Sequence, residues 1–387
     1  MRSLAIVDYF LPGYKAGGPI RTLSNTIARL GNEFAFRVMT RDRDLAASDA
    51  YPNIVVDEWN RVDKAEVFYA SPARHLGALV RILHEGSFDV LYLNSFFSWK
   101  SAIVPLILLR FGIARKVPVV LAPRGEFSGA ALSLKASKKR LYILVARVLG
   151  LCSRVIWQAS SEDEASDIRR VMKPDSSRIN IAPNLLPPVV AETGESEKKV
   201  FGHRQSGPLR IVFLSRISPM KNLDFLLRVL QSIDIPLTLT IYGPAEDHSY
   251  WVDCEQLIEE LPENIQVQYC GVVAANKVSE VFAQNDVFVF PTRGENFGHV
   301  IFESLNAGTP VLLSDKTPWQ PDKEGAIETL SLDDRDAWVE AINRWAEPRA
   351  LFACRNAARS YALQVSRSDH SLELNRQLFK NAVASGS

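Results

Sequence analysis

The sequence predicts an α/β protein of two domains, each built on a parallel sheet. Three observations lead there. The chain has 387 residues, more than one ordinary core accommodates. Short apolar runs alternate with longer amphipathic ones along its whole length, the pattern of strands joined by crossover helices. A polar stretch rich in Pro and Gly, "PPVVAETGESEKKVFGHRQSGP", separates two halves that open alike. We therefore expect a first domain over 1–188, a linker over 189–208 and a second domain over 209–365.

In chain order, the strands expected in the first half are "SLAIVDYF", "FRVMT", "EVFYA", "DVLYLN", "PVVLAP" and "RVIWQAS". Those of the second half are "LRIVFLS", "LTLTIYG", "IQVQYCG", "DVFVFPT" and "PVLLSD". Both halves start as strand, loop, helix: "SLAIVDYFLPGYKAGGPIRTLSNTIARL" with a Gly-rich loop, "LRIVFLSRISPMKNLDFLLRVLQSI" with a basic one. In open α/β sheets ligands bind beyond the carboxyl ends of the strands, so both loops belong to ligand-facing ground.

Composition narrows the class. Hydrophobic residues make up 47% and charged ones 23%, as in a globular protein, and a net charge of +1 gives no global case for nucleic acid. Cys152, Cys254, Cys270 and Cys354 are scattered, which argues against a disulfide framework or zinc site and suits a reducing, cytoplasmic compartment. The apolar run in "MRSLAIVDYF" is too short for a signal peptide. "SAIVPLILLRFGIA" is shorter than the roughly 20 residues of a membrane span and contains Pro105 and Arg110.

Four groups of residues carry chemistry. Gly17 and Gly18, just before a helix opening at Pro19, let a ligand approach the backbone at a helix N-terminus, which suits a phosphate. The Gly-x-Gly-x-x-Gly dinucleotide spacing is missing. Arg216 and Lys221, five residues apart at a strand exit, supply a planar fork and a point charge for a diphosphate. Glu295 leaves the strand "DVFVFPT", and the amides of Asn296, Phe297 and Gly298 follow at a helix mouth, suited to sugar hydroxyls or a phosphate. Glu303, eight residues beyond Glu295, is an acceptor-only group that can take both hydroxyls of a ribose diol.

Taken in this order, Arg216/Lys221 followed by Glu295-"NFG"-Glu303 resembles the second domain of the family-4 retaining glycosyltransferases, of the bacterial surface-polysaccharide type. The Gly17-Gly18 loop, "APN" at 182–184, "YG" at 242–243 and "AGTPVLLSD" at 307–315 extend the likeness over nearly the whole chain. The resemblance implies the GT-B fold, two Rossmann-like domains facing across a cleft, with a last helix, here 366–387, that returns to the first. It implies sugar transfer, with retention, from a nucleoside-diphosphate sugar to a hydroxyl of a glycan or lipid-linked glycan acceptor. Arg216 and Lys221 would hold the diphosphate with the Gly17-Gly18 backbone. Glu303 would hold the ribose, and Glu295 with the Asn296–Gly298 amides the sugar. No metal is expected. Many relatives carry a His-Gly loop where this chain has "PRGEF", so Arg124 and Gly125 become candidates for contact with phosphate or acceptor.

Rival readings also follow from the residues. A sugar-nucleotide epimerase shares the architecture and would need acid/base groups near the sugar. A non-catalytic sugar-nucleotide-binding subunit would need none. Asp42 and Asp44 in "RDRDL" form an Asp-x-Asp that could hold Mg²⁺ or Mn²⁺, though that leaves the second half unexplained. A local charge bias remains. Between Val90 and Trp157 there are eleven Lys and Arg and one acid, Glu126. Within it, "SLKASKKRLYILVARVLG" joins Lys135, Lys138, Lys139 and Arg140 to an apolar run, as a helix lying at an anionic membrane surface would.

Overall fold

Strand β1 (Arg2–Ile6) shows how the first sheet is covered. Leu4 and Ile6 enter one apolar cluster, Ala5 and the following Val7 another. Successive side chains of a strand point to opposite faces, so the run Leu4 to Val7, apolar at every position, lies inside a sheet packed on both sides. β1 indeed lies between β2 (Ala35–Arg41) and β5 (Val90–Leu93), with Ala5 opposite Val38 on one side and Tyr92 on the other.

The computed structural model describes residues 1–133, 136–187, 207–367 and 370–385. It divides into two compact units, Met1–Pro188 with Asp369–Ser387, and Val189–Ser368. Most of the expected linker lies outside the described residues.

The first unit carries an eight-stranded sheet in the order β3-β4-β2-β1-β5-β6-β7-β8. The remaining strands are β3 (Trp59–Val62), β4 (Ala65–Ala70), β6 (Val119–Leu121), β7 (Val155–Ala159) and β8 (Ile179–Ile181). All pairings are parallel except β3 with β4. Among the described residues its α-helices include α1 (Gly18–Leu30), α2 (His75–Glu85), α3 (Val104–Arg110), α4 (Gly129–Ser133), α5 (Ala136–Val148) and α6 (Glu162–Met172).

The second unit carries a six-stranded, wholly parallel sheet in the order β11-β10-β9-β12-β13-β14. Its strands are β9 (Leu209–Leu214), β10 (Leu237–Tyr242), β11 (Ile265–Tyr269), β12 (Val287–Phe290), β13 (Val311–Ser314) and β14 (Ile327–Leu330). Its helices are α7 (Leu223–Leu230), α8 (His248–Glu259), α9 (Val278–Gln284), α10 (His299–Asn306), α11 (Arg335–Trp345) and α12 (Pro348–Arg367). The order reverses between β9 and β12, neighbours with Val212 opposite Phe288. Such a reversal leaves a crevice at the carboxyl ends of the two strands.

The last helix, α13 (Ser371–Ala384), belongs to the first unit. Phe379 packs 5.8 Å from the ring of Phe34 and 5.6 Å from that of Tyr92, and Asn375 donates to the Pro183 carbonyl at 2.8 Å. The returning helix starts at Ser371, not 366, because α12 runs to Arg367 within the second unit.

Candidate active site

At the β9/β12 reversal the two exit loops are bound to each other. The Met220 carbonyl accepts from the Arg293 amide at 2.8 Å and from the Thr292 hydroxyl at 3.1 Å. Asn222 donates to the Pro291 carbonyl at 2.9 Å and accepts from Arg293 Nε at 2.9 Å. Asn222 has φ 62°, a left-handed conformation that Asn tolerates through local hydrogen bonding. This clasp fixes the side chains on either side of it. Lys221 Nζ lies 2.7 Å from Glu295 Oε2 and 5.3 Å from the centre of the Phe290 ring.

Arg216 holds a different carboxylate. Its Nη1 donates to both oxygens of Glu246, at 2.9 and 3.0 Å. The parallel bridge Ile217–Ala245, with the Ile217 amide on the Pro244 carbonyl, extends the β9/β10 pairing and sets the two side chains on adjacent backbones. Gly243 makes this approach possible: a Cβ there would collide with the Ser215 carbonyl. Arg216 and Lys221, read from sequence as one diphosphate grip, thus have separate counter-ions. Glu246 was missed, since only its position after "YG" marks it.

Beyond Glu295 the chain turns into α10. The Asn296 amide meets Glu295 Oε1 at 3.1 Å. Gly298 caps the helix at φ 76°, where a Cβ would crowd Ile301 and Glu295. The Phe297 ring packs 4.7 Å from buried His299, and its carbonyl accepts from Trp319 Nε1 at 2.6 Å. Trp319 is buried among Phe297, Phe302 and Tyr361, so it packs the loop. Glu303 lies half-buried one turn into α10.

In the first unit, Gly17 caps α1 with φ 69° and ψ −125°, a conformation side chains avoid. Gly18 has ordinary backbone, and space is open around both α-carbons. Asp44 accepts from the Tyr14 amide at 3.0 Å and the Lys15 amide at 3.3 Å, anchoring the start of this loop, while Asp42 is paired with Arg43 at 2.9 Å. Among the described residues no group of three or more His, Cys, Asp or Glu could hold a metal ion.

Arg124 is engaged within the first unit. At φ 56°, it turns its guanidinium into the protein: Nε donates to Asn94 at 2.6 Å, Nη1 to Asn184, and Nη2 to the Tyr92 hydroxyl. The Gly125 amide donates to buried Glu164 at 2.6 Å. These four partners follow β5, β7 and β8 or lie in β5, so Arg124 ties strand ends together where a ligand contact was expected. Of the basic segment, Lys135 lies outside the described residues. Lys138 and Arg140 are exposed, and Lys139 is turned in, donating to the Ala131 carbonyl at 2.6 Å. Among the described residues no helix is long and apolar enough to cross a membrane.

Residues 195–362 match the family "Glycosyl transferases group 1". A Klebsiella pneumoniae 41.2 kDa protein from a cps region is 25% identical over 61% of this chain and 63% of its own length. D-inositol 3-phosphate glycosyltransferase of Xylanimonas cellulosilytica is 26% identical over 81% of this chain and 76% of its own. In fold, the Anabaena protein HepE, solved with UDP-glucose, superposes with a TM-score of 0.68 at 18% identity, covering 99% of this chain and 100% of that one. Sucrose-phosphate synthase of Thermosynechococcus elongatus reaches 0.73 at 17% identity, covering 99% of each. The family match lies in the second half of the chain, and the chain has the fold of these solved structures, the GT-B fold with two parallel-sheet α/β units.

Proposed function

We propose that the chain moves a hexosyl-type sugar, with retention of anomeric configuration, from a nucleoside-diphosphate sugar to a hydroxyl of a glycan or polyprenyl-linked glycan in surface-polysaccharide synthesis. The observation that carries this reading is the Lys221–Glu295 pair, clasped at the β9/β12 reversal with the α10 mouth beside it. A cation for phosphate and an acceptor for hydroxyls stand together where an α/β sheet takes ligands. The UDP-glucose in the Anabaena protein and the cps region of the Klebsiella relative support the donor class and the setting.

In this reading Lys221 and Arg216 neutralise the diphosphate, and the open backbone at Gly17 and Gly18 offers a second phosphate-binding surface. Glu303 takes the ribose hydroxyls. Glu295 and the amides of Asn296, Phe297 and Gly298 take those of the sugar. The bond from the anomeric carbon to the phosphate oxygen breaks while the acceptor oxygen bonds on the same face, and the acceptor proton passes to the departing phosphate. No protein base is needed. The catalytic contribution is charge stabilisation, and one such donor is typically worth about 2.7–4 kcal/mol, about 10²–10³ in rate. The reaction proceeds without a metal ion, at the cytoplasmic face of the membrane.

The test begins with thermal shifts against UDP-, GDP- and ADP-sugars. A ligand at a hundredfold excess over its Kd stabilises by about 2.7 kcal/mol. The donor so found is then offered with lipid-linked glycan acceptors, with and without EDTA. Transfer with retained configuration, unchanged by EDTA, is expected. Conversion of the donor alone to an isomer would make the protein an epimerase, and binding without any transfer would make it a binding subunit. Glu303→Ala should weaken the free nucleoside diphosphate.

A further inference from the structure

Helix α5 (Ala136–Val148) is assembled the wrong way round for a helix that only covers a core. Its inner face is thin: Ala146 is buried, and Tyr142 and Ile143 pack partly against the apolar cluster of the first unit. Its large aliphatic residues point outward. Leu141 is 64% exposed, Leu144 58%, Val145 40% and Val148 76%, at spacings of three, four and seven that put them on one face. The stripe does not end with the helix. Leu149 is exposed, and its carbonyl accepts from Arg110 Nε at 2.9 Å, which brings in the end of α3, where Phe111 is 63% and Ile113 51% exposed.

Charge surrounds this ridge. At 100° per residue, Lys138 falls on one flank of the α5 stripe and Arg140 and Arg147 on the other, all three exposed. Arg110, Lys116 and Arg154 add to the same stretch of chain. Its single acid, Glu126, offers no counter-charge, because its carboxylate accepts from Ser95 at 2.7 Å and from the Phe96 and Phe97 amides at 2.6 and 3.2 Å. A scattered exposed Leu needs no explanation, but a contiguous apolar ridge rimmed by one sign of charge marks an interaction surface.

We propose that this ridge is where the protein seats on an anionic lipid bilayer, with Leu141, Leu144, Val145, Val148 and Phe111 entering the acyl boundary and the flanking cations meeting lipid phosphates. The occupant is set by charge complementarity together with a face that is apolar along its whole length, the combination an interfacial helix needs. A surface cation near an anionic leaflet contributes roughly a fivefold gain in partitioning, so the rim alone adds substantially. Lys139 takes no part, since its ammonium is spent on the Ala131 carbonyl and lies 5.1 Å from the Phe97 ring. The inference goes beyond the donor chemistry and does not depend on it.

The full-length protein is sedimented with vesicles of phosphatidylglycerol and of phosphatidylcholine at low salt, in parallel with Leu144→Glu/Val148→Glu and Phe111→Ser. We expect binding to phosphatidylglycerol vesicles, weak binding to phosphatidylcholine, and at least a tenfold loss in the double variant, whose melting temperature and donor-induced thermal shift stay as in wild type. The proposal fails if wild type ignores phosphatidylglycerol at low salt, or if the double variant binds as well as wild type. It fails equally if wild type is a dimer that the double variant converts to monomers without any lipid effect, which would make a second copy the occupant.

Discussion

Lys221 and Glu295 form an ion pair 2.7 Å long between side chains only 12% and 19% exposed. The cation proposed for the diphosphate is therefore already neutralised by the carboxylate proposed for the sugar. On the proposed reading, donor binding sets the phosphate against Glu295 for the same ammonium, while the sugar hydroxyls give Glu295 new donors. A free nucleoside diphosphate brings the first change without the second. Glu295→Gln should then tighten binding of the free diphosphate by about tenfold, about 1.4 kcal/mol, while cutting transfer at least tenfold. Titration calorimetry with the diphosphate reads this directly. Unchanged or weakened affinity would remove Glu295 as the competing counter-ion. Glu246→Gln should act likewise but less, since the Arg216–Glu246 pair is 40% exposed on each side and water screens it.

Lys221→Ala is a poorer probe of the same idea. It leaves Glu295 mostly buried with its cation gone, and breaking such a pair from one side costs roughly 3–5 kcal/mol when burial is complete. Loss of activity there mixes chemistry with stability.

Gly17 and Gly18 separate what the fold needs from what a ligand needs. Gly17 has φ 69° and ψ −125°, so Gly17→Ala should destabilise by roughly 1–2 kcal/mol. Gly18 sits at ordinary helical φ with nothing near its missing side chain. Gly18→Ala should hold or raise stability, by at most about 1 kcal/mol, because Ala is the better helix former. If the space above Gly18 serves the donor, kcat/KM should nonetheless fall tenfold or more. Full activity in Gly18→Ala would leave the loop a turn and nothing else.

The strands and the switch-point loops were legible because their signals are local. "LRIVFLS" and "DVFVFPT" are apolar runs ending in turn residues, and both are strands, β9 and β12. β3, β8 and β14 were missed: each lies at a sheet edge with most of its residues half-exposed, so no continuous apolar run marks it as one marks the equally short β5, β6, β12 and β13. Pairing was the other gap. That Lys221 meets Glu295 depends on two loops 74 residues apart being clasped through Met220 and Asn222, which no spacing encodes. The partners of Arg124 were hidden for the same reason, since Asn94, Asn184 and Tyr92 come together only in the folded sheet.

Arg124 consequently predicts a stability effect. Arg124→Ala strips donors from Asn94, Asn184 and the Tyr92 hydroxyl, and an unsatisfied buried group costs about 1–3 kcal/mol. Urea unfolding should show a loss in that range. Arg124→Lys should recover only part of it, because an ammonium cannot reproduce a planar fork. A variant with wild-type stability and collapsed transfer would instead restore Arg124 as a ligand contact.

His75 gives the last prediction, a pH dependence of folding. It opens α2 with its ring buried and Nε2 without a partner among the described residues. Burial, seconded by Lys100 and Arg41 and opposed by Asp8 and Asp42, pushes its pKa down from 6.5 to about 4. The folded state thus keeps the imidazole neutral at a pH where the unfolded chain protonates it. Where the unfolded chain binds more protons, stability rises with pH. The contribution is fully present above about pH 6.5 and is lost as pH falls from there to about 4. His75→Gln cannot take up the proton. Its urea midpoint should therefore fall less between pH 7 and pH 4.5 than that of wild type, although Gln fills the site less well and starts lower. All other acids titrate alike in both proteins, so the difference belongs to His75. Parallel pH curves for the two would show that the ring takes up its proton as easily in the fold as in the unfolded chain.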